Sequence, residues 1–303
     1  MTAPNPCVGC VIVSNNRVIG RGWTQPGGRP HAEAMALNQA GDGARGATAY
    51  VTLEPCSGHS PRGPACSDIL VEAGIGRVVA ALQDPFPSVD GAGFARLRAA
   101  GIEVTTPIRA AEADRAMRGF LTRQRLGRPA VTLKLATSLD GAIAMADGSS
   151  RWITGGEARA HAHLERARHD AILIGGGTFR VDTPTLDVRL AGLEDRSPRR
   201  LFLTRGAVPA GWEAIATPAA IAALDRVNDV LVEGGAGAAS AFLAADLVDR
   251  LLLYRAPILI GGGKPALGDI GLVNLADAHG RWRQTDSRQL GSDRLDVYER
   301  TGR

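Results

Sequence analysis

The alternation of short apolar strands with helices of about ten residues is the feature that most constrains the fold of this chain. "CVGCVIVSNNRVIGRGW" predicts two strands around a turn at Asn15–Asn16, because asparagine tolerates the left-handed backbone of such turns. Further segments continue the pattern in order: a helix ending at Gly41, a strand, a helix ending at Gly74, a strand, then "GFARLRAAG" as helix and "IEVTTP" as strand. Strands separated by helices predict an α/β sheet with parallel pairs.

A basic, helical segment, "ADRAMRGFLTRQRLGRP", separates this pattern from a second one that opens with the strand "AVTLKLATS". We therefore predict two domains, residues 1–122 and 123–303. Within the second, three apolar strands are predicted to end in glycines, in "DAILIGGG", "DVLVEGG" and "PILIGGG". Strand ends of this kind let bare backbone approach a ligand closely.

Charge and composition argue against nucleic-acid and membrane proteins. The net charge of +4 is spread thinly over 303 residues without a basic run, and aromatic residues make up only 4%. The start, "MTAPNP", has no signal-peptide pattern, and no apolar run approaches the ~18 residues that span a bilayer. We expect a cytoplasmic enzyme that acts on a small anionic substrate.

The four cysteines all lie within the first 66 residues, which favours metal binding or catalysis over disulfides. The stretch "VTLEPCSGHSPRGPAC" carries Cys56 and Cys66, and "PHAEAM" carries His31 and Glu33. An H-x-E at a helix start followed by a P-C…C loop is typical of zinc deaminases. His31, Cys56 and Cys66 are the predicted zinc ligands, with the fourth position left for water. Zn²⁺ lowers the pKa of such a water to about 7, and Glu33, which is not a ligand, is the predicted proton carrier.

Other interpretations of these residues stay open. The H-A-E triplet also fits a surface helix, and two cysteines around a loop also fit unrelated buried thiols. A structural zinc site could instead use all four cysteines, but Cys10 lies in an apolar strand, so we expect Cys7 and Cys10 to be packing residues. Nine residues separate Cys56 from Cys66, where the usual signature has two, and this spacing indicates a subgroup of the deaminases.

In the second domain, "EGGAGAAS" at 233–240 runs into a predicted helix and is the best candidate for holding dinucleotide phosphates. A Rossmann fold is the second choice, because this stretch lacks the third glycine of that motif and lies late in its domain. Lys134 lies inside an apolar strand and therefore needs a partner or a task. Asp140 in "SLDG" is expected to be a turn or cap residue.

Taken together, the motifs resemble one family over essentially the whole chain. In the first half these are "APNPCVGCVIV", "GRGWTQPGGRPHAEAMAL", "YVTLEPCSGHSPRGPAC" and "RVVAALQDP". In the second they are "GRPAVTLKLATSLDGAIA", "GSSRWITGGEAR", "HDAILIGGGTFRVDTPTLDVR", "DVLVEGGAG" and "LLLYRAPILIGGG". In this order they resemble the bifunctional deaminase/reductase family of riboflavin biosynthesis.

The resemblance implies a cytidine-deaminase-like three-layer α/β/α domain followed by a dihydrofolate-reductase-like α/β domain. It implies two activities: zinc-dependent deamination of a diaminopyrimidine ribosyl phosphate, then NADPH-dependent reduction of its ribosyl group. It also implies a homodimer formed through the reductase domain. An alternative is a reductase alone with a retained but inactive deaminase domain, because family members usually carry a helix before Asn5. A binding protein with purely structural zinc is a further alternative.

Besides the predicted zinc ligands, the resemblance implies residues that face NADPH and residues that face the substrate. The NADPH-facing residues are Ala136, Trp152, Thr178, Asp182, Thr204, Gly235, Ala236, Gly237, Ala238, Ala239 and Ser240. The substrate-facing residues are Asn5, Ser150, Arg166, Leu186, Arg189 and Glu233, to which we add Lys134 as a charge in an apolar strand. Among these, Arg166 and Arg189 suit a ribose phosphate, because guanidinium pairs bidentately with phosphate oxygens.

Overall fold

A computed structural model gives the structure of residues 1–58 and 61–302. His59 and Ser60, within the loop between Cys56 and Cys66, and Arg303 lie outside the described residues. The chain forms two compact units, Met1–Gly127 and a second that begins at Arg128. The domain boundary predicted between residues 122 and 123 falls inside the helix Arg118–Leu126.

The first unit has the predicted order of strands and helices. Its elements are β1 (Gly9–Ser14), β2 (Arg17–Trp23), α1 (Ala32–Ala40), β3 (Thr48–Val51), α2 (Cys66–Glu72), β4 (Arg77–Ala80), α3 (Ala92–Ala99), β5 (Glu103–Thr105), α4 (Ala110–Ala116) and α5 (Arg118–Leu126). The sheet order is β2-β1-β3-β4-β5, with β3, β4 and β5 parallel and the β1–β2 hairpin antiparallel. Asn15 and Asn16 form the hairpin turn with φ of 48° and 58°, as predicted. The basic segment is helical as predicted and forms two helices, α4 and α5, with buried Met117 between them.

Two glycines explain why α1 lies close against β2. A Cβ on Gly20 would come 2.2 Å from the Ala36 carbonyl oxygen, and one on Gly22 would come 2.1 Å from that of Ala32. Both glycines lie on the same face of the strand, since side chains alternate along it. The backbone of α1 can therefore pack directly on the strand, which places the start of this helix over the sheet.

The second unit is built around a larger sheet. Its elements are β6 (Ala130–Thr137), β7 (Ala142–Ala144), α6 (Gly156–Arg168), β8 (Ala171–Gly175), α7 (Gly176–Asp182), β9 (Arg199–Leu203), β10 (Glu213–Ile215), β11 (Asp229–Val232), α8 (Ala236–Ala244), β12 (Arg250–Arg255), β13 (Lys264–Pro265), β14 (Trp282–Leu290) and β15 (Asp293–Arg300). The order is β10-β9-β8-β11-β6-β12-β15-β14, and β13 pairs separately with β7. The six neighbouring strands β10, β9, β8, β11, β6 and β12 all run parallel. Strand β15 is antiparallel to β12, and β14 is antiparallel to β15.

This topology decides between the two predicted folds of the second unit. Its first strand, β6, lies between β11 and β12, and an antiparallel pair completes one side of the sheet. A Rossmann sheet is wound differently, with its first strand next to the second and fourth. The Rossmann alternative is therefore wrong. The dihydrofolate-reductase-like prediction is confirmed.

The prediction of a third glycine-terminated strand at 257–263 is wrong. The strand here is β12, which ends at Arg255, and the chain then leaves the sheet. Asp140 accepts hydrogen bonds from the backbone N–H groups of Ile260 and Gly261, at 3.2 and 2.8 Å, so it is the turn-stabilising residue that we expected. Gly261 and Gly262 have φ of 59° and 57°, which a β-strand does not allow.

Each unit has its own apolar core. Ile12, Leu70 and Phe94 are fully or almost fully buried in the first, and Leu173 and Phe242 in the second. Among the helices of the described residues, none is both long and apolar enough to cross a membrane.

Candidate active sites

Three predicted ligands lie together in the first unit. The donor atoms of His31, Cys56 and Cys66 lie within 4.8 Å of one another. Nδ1 of His31 is 3.2 Å from Sγ of Cys66 and 3.6 Å from Sγ of Cys56. His31 directly precedes α1, Cys56 follows β3, and Cys66 is the first residue of α2. One imidazole and two thiols facing a common point fit Zn²⁺ with an open fourth position.

The surroundings of Cys56 favour its thiolate form. The backbone N–H of Cys66 donates to Sγ of Cys56 at 3.3 Å. A hydrogen bond from the Cys66 side chain, aided by His31 and opposed by burial, lowers the pKa of Cys56 to about 4. A thiolate at neutral pH is the form that binds a metal ion.

Glu33 is held in the protein interior, two residues after His31 on α1. Only 3% of the residue is exposed, and burial raises the pKa of its carboxyl above the ordinary value. A carboxyl in such surroundings takes up a proton more readily than a solvated glutamate. This is the property that a proton carrier near neutral pH requires.

The cysteines outside this cluster do not join it in the described part of the chain. Cys10 is buried in β1 as predicted, which rules against a site built from four cysteines. Cys7, however, is exposed, with its thiol 3.2 Å from the carbonyl oxygen of Ala116, so its prediction as a packing residue is wrong. Asn5 packs against Gly28, where a Cβ would come 2.3 Å from the Asn5 Oδ1 atom.

A buried glutamate that we did not single out from the sequence supports the segment carrying Cys56. Glu54 is 3% exposed and accepts hydrogen bonds from three backbone N–H groups, those of Asp84, Gly91 and Phe94. A Cβ on Gly93 would come 1.9 Å from the Pro55 carbonyl oxygen, so the start of α3 lies directly against this segment. The available signal was an acidic residue at the end of an apolar strand, next to Pro55–Cys56.

A cavity of about 1040 Å³ lies at the carboxyl ends of β6, β8 and β11 in the second unit. Such strand ends are where open α/β sheets bind ligands. Most predicted residues of this unit line it: Lys134, Ala136, Ser150, Trp152, Arg166, Thr178, Asp182, Arg189, Glu233, Gly235, Ala236, Gly237 and Ala238.

Four predicted residues lie away from the lining of this cavity. Leu186 and Ala239 are buried in the core. The Ser240 hydroxyl accepts a hydrogen bond from the N–H of Gly268, at 2.8 Å, and Gly268 itself lines the cavity. Thr204 follows Leu203, which does line the cavity, and its hydroxyl accepts from the N–H of Gly206.

Two glycine-rich turns line one part of the cavity. The turn into α7 (175–177) and the turn into α8 (234–237) lie on neighbouring strands and both face the cavity. The N–H of Gly235 donates to the hydroxyl of Thr178 at 2.8 Å, which ties the two turns together. A Cβ on Gly237 would meet nothing within 4 Å, so backbone at the start of α8 is open to a ligand. Open amides at a helix start suit the phosphates of NADPH.

A buried ion cluster forms another wall of the cavity. Arg166 donates to both carboxylate oxygens of Glu233, at 2.7 and 2.9 Å, and Lys134 lies 4.0 Å from the same carboxylate. Burial opposes ionisation of Glu233, but Arg166 and Lys134 outweigh it and hold its pKa below the ordinary value. Lys134 thus has the partner that its place in an apolar strand predicts. Arg166 also donates to the Asp187 carbonyl oxygen, at 3.1 Å, so much of its hydrogen-bonding capacity is used inside the protein.

His163 also lines the cavity, and we did not predict it from the sequence. It lies three residues before Arg166 on α6, so the two side chains share one face of the helix. That spacing was the available signal, but the sequence does not show which face of α6 meets the cavity.

Comparison with known proteins identifies the family of each unit. The profile of the cytidine and deoxycytidylate deaminase zinc-binding region matches residues 1–82, and that of the RibD C-terminal domain matches residues 129–210 and 214–295. The riboflavin biosynthesis protein RibD of Escherichia coli (strain K12) is 39% identical over 341 residues, covering 96% of this chain and 92% of that protein. Its counterpart in Mycobacterium tuberculosis is 42% identical over 310 residues, covering 97% and 91%.

A crystal structure from Thermotoga maritima, described as a diaminohydroxyphosphoribosylaminopyrimidine deaminase/5-amino-6-(5-phosphoribosylamino)uracil reductase, is similar over 99% of this chain and 93% of that one. Its TM-score is 0.88 at 31% identity. The predicted resemblance is confirmed: the chain belongs to the RibD family of riboflavin biosynthesis proteins, with a zinc-binding deaminase domain followed by a reductase domain.

Proposed function

We propose that this protein catalyses two consecutive steps of riboflavin biosynthesis. The first is the hydrolytic deamination of 2,5-diamino-6-ribosylamino-4(3H)-pyrimidinone 5′-phosphate, and the second is the NADPH-dependent reduction of the ribosyl side chain to ribityl. The observation that carries this proposal is the group of His31, Cys56 and Cys66 with the buried Glu33 beside it, in a chain that also holds a glycine-lined cavity. We assign deamination to residues 1–122 and reduction to residues 123–303.

In the deaminase site, His31, Cys56 and Cys66 would hold the zinc ion. Zinc supplies a water of lowered pKa when it is bound. Glu33 receives the proton of the attacking water and delivers it to the departing amine, so that a C–NH2 group and water become C=O and ammonia. Asn5 is the residue that we assign to contact the pyrimidine ring of the substrate.

In the reductase site, the two glycine-rich turns would hold the phosphates of NADPH, which supplies a hydride to the substrate when it is bound. The Glu233–Arg166–Lys134 cluster presents fixed charges to the sugar, because each member is held by another. Arg189, whose side chain is 62% exposed, is the cation best able to receive the substrate phosphate.

The assignment of Arg189 makes a quantitative prediction. Arg189→Ala should raise the KM for the phosphorylated substrate of reduction by roughly tenfold or more, because a hydrogen bond to a charged group contributes about 1.5–3 kcal/mol. The dissociation constant of NADPH should stay within twofold. Steady-state kinetics and NADPH fluorescence titration measure the two quantities. Arg199→Ala is the matched control, since Arg199 pairs with Glu213 on β9 and β10 and should leave both unchanged. An unchanged KM in Arg189→Ala would remove the phosphate role.

The proposal as a whole is tested by mass spectrometry of the diaminopyrimidine substrate after incubation with the protein. Exchange of the amine for oxygen is expected without NADPH, and addition of two hydrogens only with NADPH. If the exchange is absent but the deaminated intermediate is still reduced, the protein is a reductase alone. If neither mass change occurs, the proposed function is wrong.

The assembly and cellular location belong to the same proposal. We infer that the protein acts as a homodimer through its reductase domain, in the cytoplasm, on a small phosphorylated pyrimidine and without nucleic-acid or membrane partners. The net charge of +4 without a basic run supports the choice of substrate over nucleic acid. Sedimentation velocity of the full chain and of a reductase fragment tests the dimer.

A further inference from the structure

We propose that His163 is a positioning residue of the reductase site, which holds the guanidinium group of Arg189 where it receives the phosphate of the substrate. This inference rests on the proposed reductase function and extends it to a residue for which the family resemblance assigned no role.

The contacts of the imidazole ring are the first observation. Nε2 of His163 lies 3.3 Å from Nη2 of Arg189. On the other side of the ring, Nδ1 lies 3.1 Å from the Asp187 carbonyl oxygen and 3.2 Å from the backbone nitrogen of Arg189. The ring therefore joins α6 to both the backbone and the side chain of the segment 187–189.

These contacts select one tautomer for holding the guanidinium. A guanidinium only donates hydrogen bonds, so Nε2 must offer its lone pair to Nη2 of Arg189. In the neutral ring the proton is then on Nδ1, where the Asp187 carbonyl oxygen accepts it. In this tautomer Nδ1 does not accept from the Arg189 backbone N–H. The opposite tautomer would accept that hydrogen bond, but it would turn an N–H toward the guanidinium and a lone pair toward the Asp187 carbonyl oxygen.

Arg189 needs such a support more than Arg166 does. Arg166 is 14% exposed and is held by two hydrogen bonds to Glu233 and one to the Asp187 carbonyl. The Arg189 side chain is 62% exposed, and its distance to the Asp187 carboxylate is 4.0 Å. Ordering a long side chain of this kind costs conformational entropy, which a hydrogen bond formed before the ligand arrives offsets in part.

The surrounding charges favour the neutral ring that this role requires. Burial comes first, followed by Arg166 on α6 and Arg189, and together they lower the pKa of His163. The Asp187 carbonyl and the Glu233 carboxylate oppose this effect more weakly. At neutral pH the ring therefore has a lone pair available for the guanidinium.

Kinetics of the full-length protein with two substrates test the inference. His163→Ala should raise the KM for the phosphorylated substrate about five- to twentyfold, leave kcat within twofold and leave the KM for the dephosphorylated analogue unchanged. His163→Gln should recover most of the loss, because its amide oxygen can accept from the guanidinium. His161→Ala is the matched control: this histidine lies on the same helix but bonds the Tyr254 hydroxyl, at 2.7 Å, so the ratio of the two KM values should not change.

A second measurement separates this inference from the proposed function. Calorimetric titration of inorganic phosphate onto the full chain should show weaker binding in His163→Ala than in the wild type and in His161→Ala. This result does not depend on whether the protein reduces the proposed substrate. Equal phosphate affinities in the three proteins, or equal KM increases for both substrates, would overturn the role of His163. If the phosphate difference holds but the wild type reduces neither substrate, the proposed function fails and the positioning role stands.

Discussion

Replacing Glu33 by glutamine is expected to reduce the rate of deamination by about 10²–10⁴ while the protein keeps its zinc. Factors of this size are typical of losing a general acid–base group. Glutamine has nearly the same shape, so the buried site should stay packed, but its amide cannot take up and release the proton. His31, Cys56 and Cys66 are unchanged, so metal analysis should still find about one zinc per chain. Ammonia release and metal content of the same preparations give both quantities.

Two comparisons sharpen the test of Glu33. Glu72→Gln, at the exposed end of α2, should leave deamination unchanged. Reduction of the supplied deaminated intermediate should be equal in Glu33→Gln and wild type, because its assigned residues belong to the second unit. Deamination at the wild-type rate in a zinc-loaded Glu33→Gln protein would refute the proton-carrying role.

Glu233→Gln is expected to be the most destabilising of the substitutions considered. Glu233 pairs with Arg166 and Lys134, and the three side chains are only 6%, 14% and 21% exposed. Losing the carboxylate leaves two largely buried cations without compensation, and breaking a buried pair in this way costs about 3–5 kcal/mol. A domain of this size loses about 2–4 °C in Tm per kcal/mol, so the melting temperature of the reductase unit should fall by roughly 10 °C.

The control for Glu233 is Glu213→Gln. Glu213 also pairs with an arginine, Arg199, but both side chains are 45% exposed, so the loss of unfolding free energy should stay within about 1 kcal/mol.

The contribution of Glu233 to stability should also depend on pH. The pKa of Glu233 is lowered in the fold, so its stabilisation is present above its unfolded pKa of about 4.3 and is lost as the pH falls further. The stability difference between wild type and Glu233→Gln should therefore shrink in acid. Equal melting temperatures of the two proteins at pH 7 would contradict the ion-cluster account.

The deaminase site was predictable because its signals are local in the sequence. His31 and Glu33 belong to one helix start, and Cys56 and Cys66 lie at the two ends of one loop. The chemistry of zinc restricts the residue types, so a short pattern is enough to suggest the set of ligands. The structure then brings the donor atoms within 4.8 Å of one another, as the pattern requires.

The third glycine-terminated strand shows where local patterns fail. "PILIGGG" contains the same run, ILIGGG, as the real strand end in "DAILIGGG", yet it forms a loop. The loop is held by Asp140, more than a hundred residues earlier, whose carboxylate accepts hydrogen bonds from the backbone of Ile260 and Gly261. A contact at such sequence separation leaves no mark in the local pattern.

By itself, the sequence determined the α/β class, the order of the elements in the first unit, the three candidate metal ligands and two of the three glycine-rich strand ends. These depend on hydrophobic periodicity, turn chemistry and metal chemistry, which act over a few neighbouring residues. Only the tertiary structure decided that Glu54 supports the Cys56 segment, that Glu233 occupies Arg166, and that His163 rather than His161 faces Arg189. These roles depend on which helix face and which loop meet in space, and that is set by the packing of distant segments.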